Sequence, residues 1–382
     1  MSFGSGRHFL QIPGPTNVPD QVLRAMSAPT IDHRGPQFAE LTRAVLDAVK
    51  PVFGTTGDVV LYPSSGTGAW EAALVNTLSP GDRVLCFETG HFATLWQAMA
   101  LELGLEVDLV PGDWRHGVDP AEVAARLTPE VRAVLVVHNE TSTGVTSPIA
   151  AIRAAMGDHP ALLLVDTVSS LGSIDYRHDE WGVDVTVSCS QKGLMLPPGL
   201  GLTAVSAKAL AATRDSRLPK SYWRWEPIIE ANKRGAFPYT PPTNLLYGLR
   251  EALRMLHAEG LPNVYERHAR HAAATRAAVR GWGLELLCAD PAVYSNTLTA
   301  ILMPDGHDAD KLRALILDRF DMSLGAGLGK VAGKVFRIGH LGHFNDLSLA
   351  GTLAGVQLGL HLSGVPADPR GMTAALDLLA AA

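Results

Sequence analysis

Cysteine, charge and uninterrupted apolar runs are all scarce in this 382-residue chain, and each scarcity excludes something. The three cysteines, Cys86, Cys189 and Cys288, lie far apart without C-x-x-C spacing, which argues against a disulfide framework and a zinc site. Cys86 and Cys288 stand beside apolar residues and Cys189 ends an apolar strand, and each reads as a small buried thiol. Charged residues are 18% of the chain, and 32 Lys+Arg against 38 Asp+Glu leave a net charge of -6. No basic tract is long enough to follow a phosphate backbone, so nucleic acid is not an expected partner. The longest stretch without Lys, Arg, Asp or Glu runs from Leu347 to Ala367. Polar residues and Gly351, Gly355 and Gly359 interrupt it, so a buried helix is expected and not a membrane span. Met1 to Pro15 lacks a basic region followed by an apolar one, so no secretory signal is expected and the protein is read as cytoplasmic.

Apolar residues, by contrast, make up 47%. The length suits about two or three domains of roughly 150 residues each, enough for a large core. Strands are expected at Val59 to Tyr62, Arg83 to Glu88, Leu105 to Val110, Val131 to His138, Ala161 to Asp166 and Asp184 to Cys189. They alternate with helical patterns, as in a mostly parallel α/β sheet covered on both faces. Before them, Gly35-Pro36 opens an amphipathic helix expected to stop at Lys50, ahead of Pro51. After about residue 215 the pattern changes. Tyr222 to Trp225 and Phe237 to Pro242 read as irregular loop, and two long helices follow, near Asn244 to Glu259 and Pro262 to Trp282. A second, smaller α/β unit holds strands near Thr297 to Met303, Met322 and Val335 to Gly339, then the uncharged helix and an alanine-rich C-terminal turn. Gly325 to Gly329 reads as a flexible loop. The expected organisation is an N-terminal arm over 1–19, a large domain over 20–260 and a small domain over 261–382.

Three features fall at the carboxyl ends of expected strands, the edge where open α/β sheets bind ligands. Ser64-Ser65-Gly66-Thr67-Gly68 could cradle an anion at a helix N-terminus, or be a plain turn. It fits neither a Walker A loop nor G-x-G-x-x-G, which disfavours a nicotinamide dehydrogenase. Asp166 ends an apolar strand and could equally cap the next helix. Lys192 follows a buried strand and precedes the stiff Leu196-Pro197-Pro198-Gly199, or else it is a surface lysine. Together they are what pyridoxal phosphate needs: an amine to bond its aldehyde, an acid for its ring nitrogen and a phosphate cradle.

The stretches Ile12 to Asn17, Val165 to Gly172, Ser190 to Gly193, Pro197 to Gly199 and Arg337 to Gly339 carry a resemblance. The chain resembles the class V aminotransferases of pyridoxal phosphate fold type I, specifically the serine– and alanine–glyoxylate aminotransferase group. That resemblance implies a large domain with a mostly parallel seven-stranded sheet and a smaller C-terminal α/β domain. Lys192 would bond the cofactor and move the proton, and Asp166 would pair with the pyridine nitrogen while Val168 packs on the ring. Ser65, Gly66 and Thr67 would bind phosphate with Gln191 beside them, and Thr141 would sit near the cofactor hydroxyl and substrate. Phe92 falls where the family stacks an aromatic, often tryptophan, so a stacking face is kept and an N–H donor lost. Arg337 would clamp the substrate carboxylate as a planar fork, with backbone N–H groups near Gly14 and Thr16 as second anchor. Thr240 would reach the phosphate of a neighbouring subunit's cofactor, which implies a homodimer. Phe237 stands where some relatives have tyrosine.

The implied reaction moves the amino group of L-serine to glyoxylate by a ping-pong mechanism, with aspartate or alanine as alternative donors. His33-Arg34 could touch substrate across a dimer interface or belong to a plain loop. Metal binding by His340 and His343 is not expected, since no third ligand follows. A cysteine desulfurase is disfavoured because Gln191, not histidine, precedes Lys192 and Cys288 stands in an apolar context. A non-catalytic α/β binding protein is disfavoured because Lys192, Asp166 and Arg337 occur together.

Overall fold

The computed structural model describes residues 6–381, so the first five residues of the expected N-terminal arm and Ala382 lie outside the described residues. The apolar runs of the first half build one seven-stranded sheet. Its order is Asp58–Ser64, Gly199–Val205, Val185–Cys189, Leu162–Asp166, Val131–Val137, Arg83–Phe87 and Glu106–Val110. The strands from Val185–Cys189 to Glu106–Val110 are parallel neighbours. Gly199–Val205 runs antiparallel to both of its partners.

The runs are continuous because both faces are covered. Leu163 and Val165 join Phe38, Val45 and Leu253 in one core, while the alternate residues Leu162 and Leu164 join Leu74 and Trp96 in the other. The seventh strand, Gly199–Val205, escapes the pattern-based reading because glycines interrupt it. Gly201 is needed there: a Cβ would lie 2.7 Å from the Ser65 carbonyl oxygen, so the strand passes directly beneath the Ser/Gly turn.

The helix opened by Gly35-Pro36 does not stop before Pro51 but runs over Pro36–Phe53. In the last turn a missing N–H removes a single hydrogen bond, and the fully buried Val52 and Phe53 hold that turn on the core. Trp225 likewise starts a helix, Trp225–Lys233, and does not extend the aromatic loop. The long helices Thr243–Glu259 and Leu261–Gly281 form as expected, to within the usual fraying. The uncharged stretch gives the helix Asp346–Leu362, and among the described residues no helix is long and apolar enough to cross a membrane. The alanine-rich end is a helix, Arg370–Ala380, and not a turn. It packs tightly on Leu261–Gly281, where a Cβ on Gly281 would lie 2.6 Å from the Gly371 Cα.

A second sheet runs Phe9–Gln11, Met322–Ala326, Val335–Gly339, Leu298–Leu302 and Glu285–Leu286. The N-terminal strand pairs parallel with Met322–Ala326, a pairing that three residues cannot announce in sequence. It delivers the next residues to the strands beside it: a Cβ on Gly325 would lie 2.8 Å from Pro13 Cδ. Gly325 and Ala326 therefore belong to a strand and not to a free loop. Just beyond, Lys330 pairs with the Glu88 carboxylate at the end of the first sheet.

Candidate active site

Ser64, Asp166 and Cys189 close three strands that share one direction and end at one sheet edge. Ser65 starts the helix Gly66–Thr77 without a side-chain capping bond, so its hydroxyl and the open N–H groups of the first turn suit an anion. Gly66 has to be glycine, since a Cβ would lie 2.7 Å from Val168 Cγ2.

Asp166 is only 3% exposed. Its Oδ1 accepts from the Val168 amide at 2.6 Å and its Oδ2 from the Trp70 indole at 3.1 Å. Burial pushes the carboxyl up to about 7, opposed by the Val168 amide, the Trp70 indole and Lys192 and reinforced by the charge of Glu140. The folded protein thus holds this proton more tightly than the unfolded chain, whose value is 3.8. The resulting stability is fully present below the unfolded value and is lost as pH rises through about 7. Asp166→Asn is therefore expected to gain on wild type, in the cofactor-free protein, as pH rises from 5 to 8, on top of a pH-independent cost from turning one of its amide ends toward the Val168 or Trp70 N–H. Thermal melts at the two pH values check this; an equal or opposite difference would contradict it.

Lys192 is 8% exposed, and its Nζ donates to the Pro13 carbonyl at 2.5 Å. Burial pulls its amine down to about 8; the Arg337 charge adds to that pull and Asp166 opposes it. Thr16 fastens the same loop, its hydroxyl donating to the Lys192 carbonyl at 3.0 Å and its amide to the Gln191 carbonyl at 3.1 Å. This corrects the expectation for Thr16. Both of its donors are committed to the lysine loop, so it positions Lys192 and offers no amide to a substrate. Gly14 does reach the cavity, and a Cβ there would collide with Lys192 Nζ.

Of the expected residues, Gly14, Ser65, Gly66, Thr67 and Phe92, with Thr141, Val168, Gln191 and the Asp166–Lys192 pair, line one cavity of about 190 Å³. Trp70, Pro15 and Pro198 line it too, although none of them was named as a site residue from the sequence. Phe92 meets Trp70 edge-on, with ring centroids 6.5 Å apart. Arg337 is not in the lining. It lies buried behind Thr141, with Nε donating to the Ala326 carbonyl at 2.7 Å and Nη1 to the Thr141 carbonyl at 2.6 Å. Two of the guanidinium's five N–H groups are thereby used, and three remain for a carboxylate.

Glu140 is a site residue that the sequence reading missed. Fully buried, it accepts from the Ala93 amide at 3.0 Å and the Ser142 amide at 3.0 Å, which caps the helix that carries Phe92. Its neighbour Thr141 donates to Ser169 Oγ at 2.7 Å.

The other candidates fall elsewhere. Thr240 is exposed and outside the cavity, and Phe237 packs edge-on against Phe38 in the core. His33 and Arg34 lie outside it as well, the Arg34 amide closing a turn on Asp32. Cys288 is buried away from the cavity, and burial pushes its thiol up to about 11. His340 is fully buried with Nε2 at 3.0 Å from Thr299 Oγ1.

The lining fits pyridoxal phosphate. Gln191 Oε1 is buried without a hydrogen-bond partner, and Asp166 has no salt-bridge partner among the described residues. The first group calls for a hydrogen-bond donor, the second for a cation such as a protonated ring nitrogen, and the open helix turn for a phosphate. Lys192 supplies an amine that burial keeps easy to deprotonate.

Comparison with known proteins agrees. The family described as aminotransferase class-V matches residues 8–339. A serine–glyoxylate aminotransferase of Methylorubrum extorquens is 50% identical, the match covering 98% of this chain and 96% of that protein. An L-aspartate–glyoxylate aminotransferase of Paracoccus denitrificans is 46% identical over 93% of this chain and 91% of its own. Among solved structures, pyridoxamine–pyruvate aminotransferase from Mesorhizobium loti superposes with a TM-score of 0.94 over 100% of both chains at 29% identity. A likeness of this extent, joined to the site it frames, places the chain in the class V aminotransferase family, an enzyme of fold type I that works with pyridoxal phosphate.

Proposed function

We propose that this enzyme transfers the amino group of L-serine to glyoxylate, giving hydroxypyruvate and glycine. The observation that carries the proposal is the meeting of a buried amine and a buried acid, Lys192 and Asp166, in one cavity with the Ser65–Thr67 turn. The choice of donor is supported by the full-length likeness to the Methylorubrum enzyme.

When bound, pyridoxal phosphate supplies a protonated ring that accepts the electron pair left as the substrate Cα–H bond breaks. Asp166 keeps that ring nitrogen protonated. Lys192 would take the Cα proton and return it at the cofactor's C4′, as base and then acid, a role eased by burial, which draws its amine down to about 8. Ser65, Gly66 and Thr67 would hold the phosphate at the helix N-terminus, with Gln191 beside them. Phe92 and Val168 would pack on the ring, and Thr141 would stand near its hydroxyl. Arg337 and the Gly14 backbone hold the α-carboxylate, so serine and glyoxylate occupy the same place in turn. Thr240, exposed on its own chain, reaches the phosphate held by the partner subunit, which makes a homodimer the working unit.

The test follows the visible absorbance of the cofactor-loaded protein in single turnovers with serine, aspartate or alanine, then with glyoxylate. Serine is expected to bleach the band fastest and glyoxylate to restore it. Faster bleaching by aspartate would transfer the assignment to the aspartate–glyoxylate reaction of the Paracoccus relative.

A further inference from the structure

Resting on that role for Asp166, we propose that Trp70 is a positioning residue for the cofactor's acid: its indole N–H holds the Asp166 carboxylate ionised and in a single orientation for the ring nitrogen. The two residues stand 96 positions apart in sequence, and the indole donates to Oδ2 at 3.1 Å inside a site where both side chains are buried. The other donor is the Val168 amide at 2.6 Å from Oδ1, a backbone group present whatever the side chains. Trp70 is thus the one side chain that donates to this carboxylate among the described residues. A hydrogen bond to a charged, buried acceptor is among the stronger ones available to a protein.

The indole is itself held. It stacks on Trp96 with centroids 5.8 Å apart and planes at 16°, and it meets the edge of Phe92. The Nε1 of Trp96 has no partner, so an indole in this core does not acquire a polar contact merely by being there. Trp70 also stands one turn along the helix Gly66–Thr77 from the residues proposed to hold phosphate. One helix therefore serves both ends of the cofactor, through its open N–H groups in the first turn and through Trp70 in the second. The ionisable groups facing Asp166 are Lys192, Glu140, Cys189 and Tyr176. Burial keeps Cys189 and Tyr176 neutral, Lys192 favours the charged acid and Glu140 opposes it.

The test uses the cofactor-free protein and 4′-deoxypyridoxine 5′-phosphate, which keeps ring and phosphate but has no aldehyde for Lys192. Its affinity is measured by titration calorimetry from pH 5 to 9 for wild type, Trp70→Phe, Asp166→Asn and the double variant. Wild-type binding is expected to weaken on the acid side as Asp166 takes up its proton. Trp70→Phe should move that acid limb up by about one to two pH units, the size of a lost hydrogen bond to a charge. At pH 6.5 it should lose roughly tenfold in affinity when Asp166 is present, and less than about twofold in the Asp166→Asn background. An unmoved acid limb, or an equal loss in both backgrounds, would overturn the role of Trp70 alone. No binding by wild type at any pH would overturn the cofactor reading beneath it. If Trp70→Phe fails to fold, wild-type protein labelled with 15N-tryptophan decides: an indole resonance is expected to titrate with Asp166 and to stop doing so in Asp166→Asn. Absence of such a resonance would overturn the proposal.

Discussion

Lys192→Ala is expected to lower turnover at least about a thousandfold, since one amine both bonds the cofactor and carries the proton. The visible band of the loaded protein should change, because the cofactor then has no amine to bond. The protein should still fold: Lys192 makes one side-chain hydrogen bond, to the Pro13 carbonyl, and burial already disfavours its charge. A melting temperature close to wild type together with loss of turnover would separate chemistry from stability. Full activity in this variant would overturn the site assignment.

Arg337→Ala ranks second. Removing a charged pair of hydrogen bonds to a carboxylate costs about 1.5–3 kcal/mol for each bond, roughly a hundredfold or more in kcat/KM for every amino- and 2-oxo-acid substrate alike. The variant also leaves the Ala326 and Thr141 carbonyls without their donor. Arg337→Lys is therefore the needed companion: it restores charge but not the fork, and should recover only part of the loss. Unchanged kcat and KM in Arg337→Ala would mean that the carboxylate is held elsewhere.

Asp166, Lys192 and the Ser65–Thr67 turn were legible in the sequence because each falls at or just past the carboxyl end of an apolar strand, where each alone had an ordinary structural explanation and the three together did not. Their convergence was expected from their common place at the carboxyl ends of strands in one parallel sheet. What stayed hidden depends on close approach or on distant partners. The strand Gly199–Val205 was masked by Gly201, which is there because the Ser65 carbonyl lies close against it. The three-residue strand Phe9–Gln11 is too short to show a period, yet it places Pro13 on Lys192 and Thr16 on the lysine loop. Thr16 was assigned to substrate because sequence cannot tell an amide that is open from one already bonded. Glu140 sat beside Thr141 in plain view, but its function is to cap a helix that begins 49 positions upstream, at His91. Trp70 reads as core by its spacing, and only the fold reveals what its N–H touches.

The central claim, that Lys192 holds the cofactor against Asp166, is tested most directly by borohydride reduction of the loaded protein and peptide mass mapping. Borohydride fixes pyridoxal phosphate permanently to whichever amine carries it. The expected result is the added mass on the peptide containing Lys192 and on no other. The same mass on Lys208 or Lys220, or on no peptide at all, would contradict the account.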